Sequence, residues 1–163
     1  MKKITLLLLG GLLMACQSPA QDKEKDKAEE SFKVTKTDEQ WRAELTELQY
    51  YVLREEGTER AFTSELNKNY EEGVYVCAAC QTPLFKSEHK FDSGTGWPSF
   101  DREIKDNVAF STDYKIGYPR TEEHCATCGG HLGHVFDDGP RNTTGKRHCI
   151  NGAALKFIPE NEE

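Results

Sequence analysis

Six cysteines stand in the 163-residue sequence, and their spacing sorts them by chemistry. Cys77-Ala78-Ala79-Cys80 and Cys125-Ala126-Thr127-Cys128 form two Cys-x-x-Cys pairs, the second followed by Gly129-Gly130. Thiolates spaced in this way suit tetrahedral zinc, in which four sulfurs sit about 2.3 Å from the metal. A four-thiolate set leaves no coordination position open. The expected Zn2+ is therefore structural, one per chain, and its binding energy is folding energy. The competing use of the same residues is two disulfides, most stabilising if Cys77 or Cys80 pairs with Cys125 or Cys128 across the long intervening loop. A thioredoxin-like redox pair fits less well, because Cys80 runs into Gln81-Thr82-Pro83 instead of opening a helix.

Cys149 has no such partner in the sequence. It lies in Lys146-Arg147-His148-Cys149-Ile150-Asn151, where strand alternation would put Arg147, Cys149 and Asn151 on one face and His148 and Ile150 on the other. A guanidinium beside a thiol favours the nucleophilic thiolate, and an amide two residues on can hydrogen-bond a reacting oxygen. Cys149 is thus a candidate nucleophile, whereas an inert buried cysteine would more often sit among aliphatics. Two further stretches could complete a pocket around it. The glycine-rich run from Phe91 to Phe100 carries Trp97 near its tip, for which composition weighs core packing and substrate lining equally. The run from Gly130 to Asp138 places His131 and His134 three apart around Gly133. A regular strand would send these histidines to opposite faces, so Gly133 would have to kink or bulge if both serve one pocket.

The sixth cysteine belongs to the chain's beginning. Met1-Lys2-Lys3 precedes an uncharged run from Ile4 to Ala15, too short to span a bilayer comfortably and of signal-peptide length. It ends Leu13-Met14-Ala15-Cys16, which resembles the lipobox of bacterial lipoproteins, so Cys16 is expected to carry lipid once residues 1–15 are removed. Residues 17–30 are polar, with no aromatic or large apolar side chain, and read as a flexible tether. The domain plan is therefore a lipoprotein signal peptide over 1–15, lipidated Cys16 and its tether over 16–30, and one globular domain over 31–163. The expected location is extracytoplasmic, anchored by lipid to a bacterial membrane. The formal net charge of −7 argues against nucleic acid as a partner and against a polybasic membrane patch.

The elements that must position these residues are legible in outline. Thr37-Asp38-Glu39-Gln40 has the form of a capping box, and Trp41, Leu45, Leu48 and Val52 follow as one apolar stripe, predicting a helix over 38–55 that Gly57 can end. A shorter turn of helix is expected over 64–69. After Gly73 come short β-prone runs separated by turn residues, over 74–76, 108–112, 132–136, 147–151 and 155–158. Strands this short enclose little core, and a small loop-rich domain commonly needs a staple.

The two Cys-x-x-Cys pairs, Gly96-Trp97-Pro98-Ser99-Phe100, the run from Gly130 to Pro140 and the run from Arg147 to Phe157 together resemble the methionine-R-sulfoxide reductase family, also called methionine sulfoxide reductase B. The resemblance spans about Trp41 to Ile158 in consistent order. It implies a mainly β fold of two antiparallel β-sheets with peripheral N-terminal helices, stapled by the four-cysteine zinc site. It implies that Cys149 attacks the sulfur of oxidised methionine and becomes a sulfenic acid, the repair chemistry of one sulfoxide epimer. It also implies that Trp97 lines a pocket for the substrate methyl group, and that His131, His134, Asp138, Arg147 and Asn151 arrange water and protons. One departure alters the expected cycle: many family members carry a resolving cysteine where this chain has Thr95. The Cys149 sulfenic acid is therefore expected to be reduced by an external thiol, a thioredoxin-like or small-molecule donor. Two rival readings are a non-catalytic zinc-ribbon-like binding module on a lipid anchor, which leaves the coincidence of Cys149, Arg147, Asn151, Trp97 and the histidine pair without a purpose, and a thiol peroxidase, which would not need a tryptophan-walled pocket.

Overall fold

A computed structural model describes residues 32–160. The predicted signal peptide, Cys16 and the tether lie outside the described residues. The helical start is divided in two, α1 (Asp38–Glu44) and α2 (Glu47–Glu55), where one helix was expected. The cause is a second capping box: Thr46 accepts from the Gln49 backbone while the Gln49 side chain returns a bond to Thr46, as Thr37 and Gln40 do one helix earlier. Leu45 is extended and breaks the periodicity, so of the expected stripe Trp41 and Val52 are buried whereas Leu48 is 47% exposed. Helix α2 ends as Glu56 enters the left-handed region at φ 54°, just ahead of Gly57. The turn of helix expected over 64–69 is a 3-10 segment, Glu65–Lys68, capped by Ser64.

Among the described residues nine strands follow: β1 (Gly73–Cys77), β2 (Pro83–Lys86), β3 (Lys90–Phe91), β4 (Ser99–Phe100), β5 (Val108–Asp113), β6 (Arg120–Cys125), β7 (His131–Phe136), β8 (Arg147–Ile150) and β9 (Leu155–Pro159). They form two antiparallel sheets, one of order β2-β1-β9 and one of order β3-β4-β8-β7-β6-β5. The mainly β, two-sheet architecture with helices at its N-terminal side is as expected. All five expected runs are strands, but β2, β3, β4 and β6 carry no sequence signal. Strand β6 is Arg-Thr-Glu-Glu-His-Cys, without apolar alternation, and is drawn into the sheet because β5 and β7 pair with it on both sides. Tyr75, Leu84 and Phe85 of the smaller sheet form one buried cluster with Phe100, Leu132 and Ile150 of the larger, joined by Val52 and Leu53 of α2.

The four cysteines tie the sheets together. Cys77 ends β1 in the smaller sheet and Cys125 ends β6 in the larger. The two Cys-x-x-Cys turns are built alike: the Gln81 amide donates to the Cys77 carbonyl and the Gly129 amide to the Cys125 carbonyl, each at 2.8 Å. Both donors sit at positive φ, Gln81 at 61° and Gly129 at 69°. The glycine expected to make this turn is thus present in one pair and replaced by a glutamine in the other.

Candidate active site

The site is a row of side chains across the larger sheet. Directly opposed residues in an antiparallel pair share a face. The registers Ser99 to Cys149, Cys149 to His134, His134 to Glu122 and Glu122 to Ser111 therefore place five residues from five strands on one face. A cavity of about 130 Å³ opens on this face, lined among others by Thr58, Trp97, His134, Phe136, Cys149 and Asn151. Strand alternation at β8 is as expected. Arg147 and Cys149 interact on the site side, whereas His148 turns the other way and pairs with buried Glu123. Asn151 lies one residue beyond the strand and still reaches the cavity.

The two histidines do share a neighbourhood, with ring centroids 5.5 Å apart. The irregularity that allows it is an extra residue in β7: Glu123 pairs with Gly133 and His124 with His131, leaving Leu132 unmatched. Gly133 has another task, since a Cβ there would lie 2.1 Å from the Cys149 carbonyl oxygen. The histidines are not equivalent. His134 borders the cavity and its Nε2 meets Asp113 at 2.9 Å. His131 is buried one step behind, its Nδ1 2.6 Å from Glu122.

Each titratable group is set by its surroundings. Burial pushes the His134 pKa below the ordinary histidine value; Asp113 works against this, and Arg120 and His131 add to it. Asp113 is held far below the usual carboxylate range by the Lys115 amide first, then by His134 and Arg120. Arg147 was expected to make Cys149 a ready thiolate. Its effect has that sign, as has the Thr95 hydroxyl, but burial is the larger influence and the thiol pKa is raised. Asp138 does not border the main cavity. It is 65% exposed and clasps Arg147 through two bonds, at 2.8 and 2.9 Å, so it acts on the site through the guanidinium.

Several site residues left no mark in the sequence. Buried Glu59 is the most connected: its amide donates to Asn151, its carbonyl accepts the Trp97 indole N–H at 3.2 Å, and its carboxylate accepts the amides of Gly152 and Ala153 at 2.7 and 2.8 Å. Asp113 and Arg120 flank a hairpin loop and pair across its base. Only the registers of β5 with β6 and β6 with β7 bring these charges to the histidines, and no periodicity announces them.

The four cysteine sulfurs lie within 4.8 Å of one another, with Cys77 to Cys128 at 3.8 Å and Cys80 to Cys125 at 3.5 Å. Tetrahedral zinc with bonds of about 2.3 Å would separate sulfurs by roughly 3.8 Å, so the residues present fit a four-thiolate metal site. Cys77, Cys80, Cys125, Cys128 and Cys149 are all free thiols. No pair among them is joined as the competing disulfide reading required.

Residues 45–159 match the SelR domain. The chain is 55% identical over 131 residues to "Peptide methionine sulfoxide reductase MsrB" of Leptospira interrogans, covering 80% of this chain and 99% of that protein. It is 56% identical over 128 residues to "Peptide methionine sulfoxide reductase B1, chloroplastic" of Oryza sativa, covering 78% of this chain and 59% of that one. To mouse "Methionine-R-sulfoxide reductase B3, mitochondrial" it is 52% identical over 128 residues, covering 78% of this chain and 50% of its relative. With a cysteine on a tryptophan-lined cavity, a paired histidine beside it and a four-cysteine cluster joining its sheets, the chain belongs to the SelR-domain, methionine sulfoxide reductase B family.

Proposed function

We propose that this chain reduces methionine-R-sulfoxide to methionine, with Cys149 as nucleophile, acting on oxidised methionine in proteins. The observation that carries the reading is the row Ser99, Cys149, His134, Glu122 and Ser111 along one sheet face, with the Cys149 thiol on a cavity walled by Trp97 and Phe136. The aromatic walls receive the apolar end of the substrate, and the thiolate attacks the sulfoxide sulfur. The sulfoxide oxygen needs a proton to leave its sulfur, and His134 is the imidazole on the cavity that can give one, with His131 behind it. Arg147, oriented by Asp138, favours the thiolate, and Asn151 offers an N–H to the reacting oxygen. Protonated twice, the oxygen leaves as water while the two sulfurs stay bonded. Water then attacks the Cys149 sulfur and breaks that S–S bond, so methionine leaves with its sulfur reduced by two electrons and Cys149, oxidised by two, is left as sulfenic acid.

Recovery needs an external thiol, because Thr95 stands where a resolving cysteine would. One donor thiol condenses with the sulfenic acid, releasing water and leaving a mixed disulfide. A second breaks it, restoring the Cys149 thiol and leaving the donor as a disulfide. The donor class is a thioredoxin-like or small-molecule thiol. The four-cysteine cluster holds Zn2+ as a structural staple. At the other end of the chain, removal of residues 1–15 lets Cys16 take a lipid anchor, and residues 16–30 tether the domain outside the cytoplasm. Incorporation of labelled palmitate into wild type and its loss in Cys16→Ser tests the anchor.

Turnover of the two methionine sulfoxide epimers by wild type and Cys149→Ser, with a dithiol donor, tests the activity. R-selective turnover lost in the variant is the expected result. Equal activity in both proteins would refute the nucleophile.

A further inference from the structure

Cys149 faces a chain of hydroxyls that no step above uses. Thr95 Oγ1 lies 3.8 Å from Cys149 Sγ, Ser93 Oγ lies 2.8 Å from Thr95 Oγ1, and Ser99 Oγ lies 2.7 Å from Ser93 Oγ. The Ser99 hydroxyl also reaches the Trp97 carbonyl at 3.1 Å. Ser99 is itself the β4 partner of Cys149 in the sheet, so the chain begins and ends beside one residue. Gly94 and Gly96, at φ 71° and 92°, fold the loop tightly enough to bring these hydroxyls together. Ser99 is 1% exposed, which keeps water from competing at that end.

A hydroxyl has one proton, so the chain can point in only two directions. If Ser99 donates to the Trp97 carbonyl, then Ser93 donates to Ser99 and Thr95 to Ser93, which leaves Thr95 to accept the Cys149 S–H. That order holds a neutral thiol. In the reverse order Ser99 donates to Ser93, Ser93 to Thr95 and Thr95 to the Cys149 sulfur, which holds a thiolate. Only hydroxyl rotations separate the two, and the Trp97 carbonyl gives up its donor. The charged groups facing Cys149 are Arg147 on its own strand, itself held by Asp138; His134 on β7, held by Asp113, which pairs in turn with Arg120 at the cavity wall; and Glu123, which acts on the thiol from β6.

We propose that Thr95 is a catalytic residue whose hydroxyl, backed by Ser93 and Ser99, donates to the Cys149 sulfur and supports its thiolate. The position of a resolving thiol is filled by a group that serves the attack. This rests on Cys149 as the nucleophile, and the test reads its thiolate without requiring sulfoxide turnover. Full-length wild type, Thr95→Val, Thr95→Ala and Thr95→Ser are alkylated with iodoacetamide across pH, and modification is followed by mass spectrometry on the peptide containing Cys149. Thr95→Val and Thr95→Ala should react about tenfold more slowly at any pH below both midpoints, corresponding to a midpoint about one unit higher, while Thr95→Ser follows wild type. Wild-type behaviour in Thr95→Val, or an equal shift in the valine and serine variants, overturns the proposal. Loss of the expected sulfoxide turnover in wild type, with the hydroxyl-dependent shift intact, would count against the functional reading alone.

Discussion

The Glu59 amide donates to Oδ1 of Asn151 at 2.9 Å, and this one bond fixes which way the Asn151 amide faces. An N–H must meet an oxygen, so Nδ2 is turned the other way, where it donates to the Leu132 carbonyl at 3.0 Å. One Nδ2 proton is left, so Asn151 has a donor of set direction for a group in the cavity it lines. A donor of fixed direction is what a sulfoxide oxygen gaining negative charge requires.

Asn151→Asp should therefore be worse than a loss of size. Its second oxygen would face the Leu132 carbonyl, and the donor would be gone. We expect kcat to fall by about 100-fold and urea unfolding to show a loss of about 1–3 kcal/mol. Unchanged kcat in a folded variant would remove Asn151 from the chemistry.

The pH profile should be broad and flat-topped. The proposed mechanism calls for a protonated His134 and a Cys149 thiolate, yet burial lowers the histidine from its ordinary 6.5 and raises the thiol from its ordinary 9.0. Between the two shifted values the resting site is neutral thiol and neutral imidazole, and the small fraction with the proton moved across is constant with pH. We expect kcat/KM to hold level across that interval, falling below it and above it, while iodoacetamide alkylation of Cys149 climbs throughout. An acid limb at or above pH 6.5 would contradict the lowered His134 value. The same lowered His134 value contributes stability that is present above pH 6.5 and is lost as pH falls from there through the folded-state value.

Removing one cysteine of the cluster should unfold the domain, not merely loosen it. Structural zinc contributes roughly 10 kcal/mol or more, comparable with a whole domain's stability of about 5–15 kcal/mol. Cys80→Ser should lose its metal, measured by elemental analysis, together with its cooperative thermal transition. Cys149→Ser should keep both, since Cys149 is not among the clustered sulfurs.

Placing a thiol at residue 95 should change the way the cycle ends. Thr95 Oγ1 is already 3.8 Å from the Cys149 sulfur, so Thr95→Cys needs only a small loop shift to bring two sulfurs to bonding distance. After one equivalent of methionine sulfoxide, Thr95→Cys should lose two hydrogens by intact mass. Wild type should instead yield a dimedone adduct on Cys149. A two-hydrogen loss in wild type would show that a resolving thiol exists elsewhere in the chain.

What the sequence determined by itself is whatever depends on near neighbours. The Cys-x-x-Cys pairs, the face shared by Arg147 and Cys149, the Thr37 cap and the five apolar runs are all local patterns, and local patterns follow from the period of the backbone. Even there one local signal was outweighed by another: the Thr46 and Gln49 box cuts the helix that the apolar stripe of Trp41, Leu45, Leu48 and Val52 suggested. The tertiary structure decided whatever depends on register. Strand β6 is charged and unremarkable alone, yet pairing with β7 delivers Glu122 to His131 and, with Leu132 left unmatched, seats both histidines together. Glu59 becomes the anchor of Trp97 and Asn151 only because the chain after α2 crosses the end of β8. Cys149 illustrates the division well: its neighbour Arg147 told the sign of one influence on the thiol, and burial, a property of the whole fold, decided the balance.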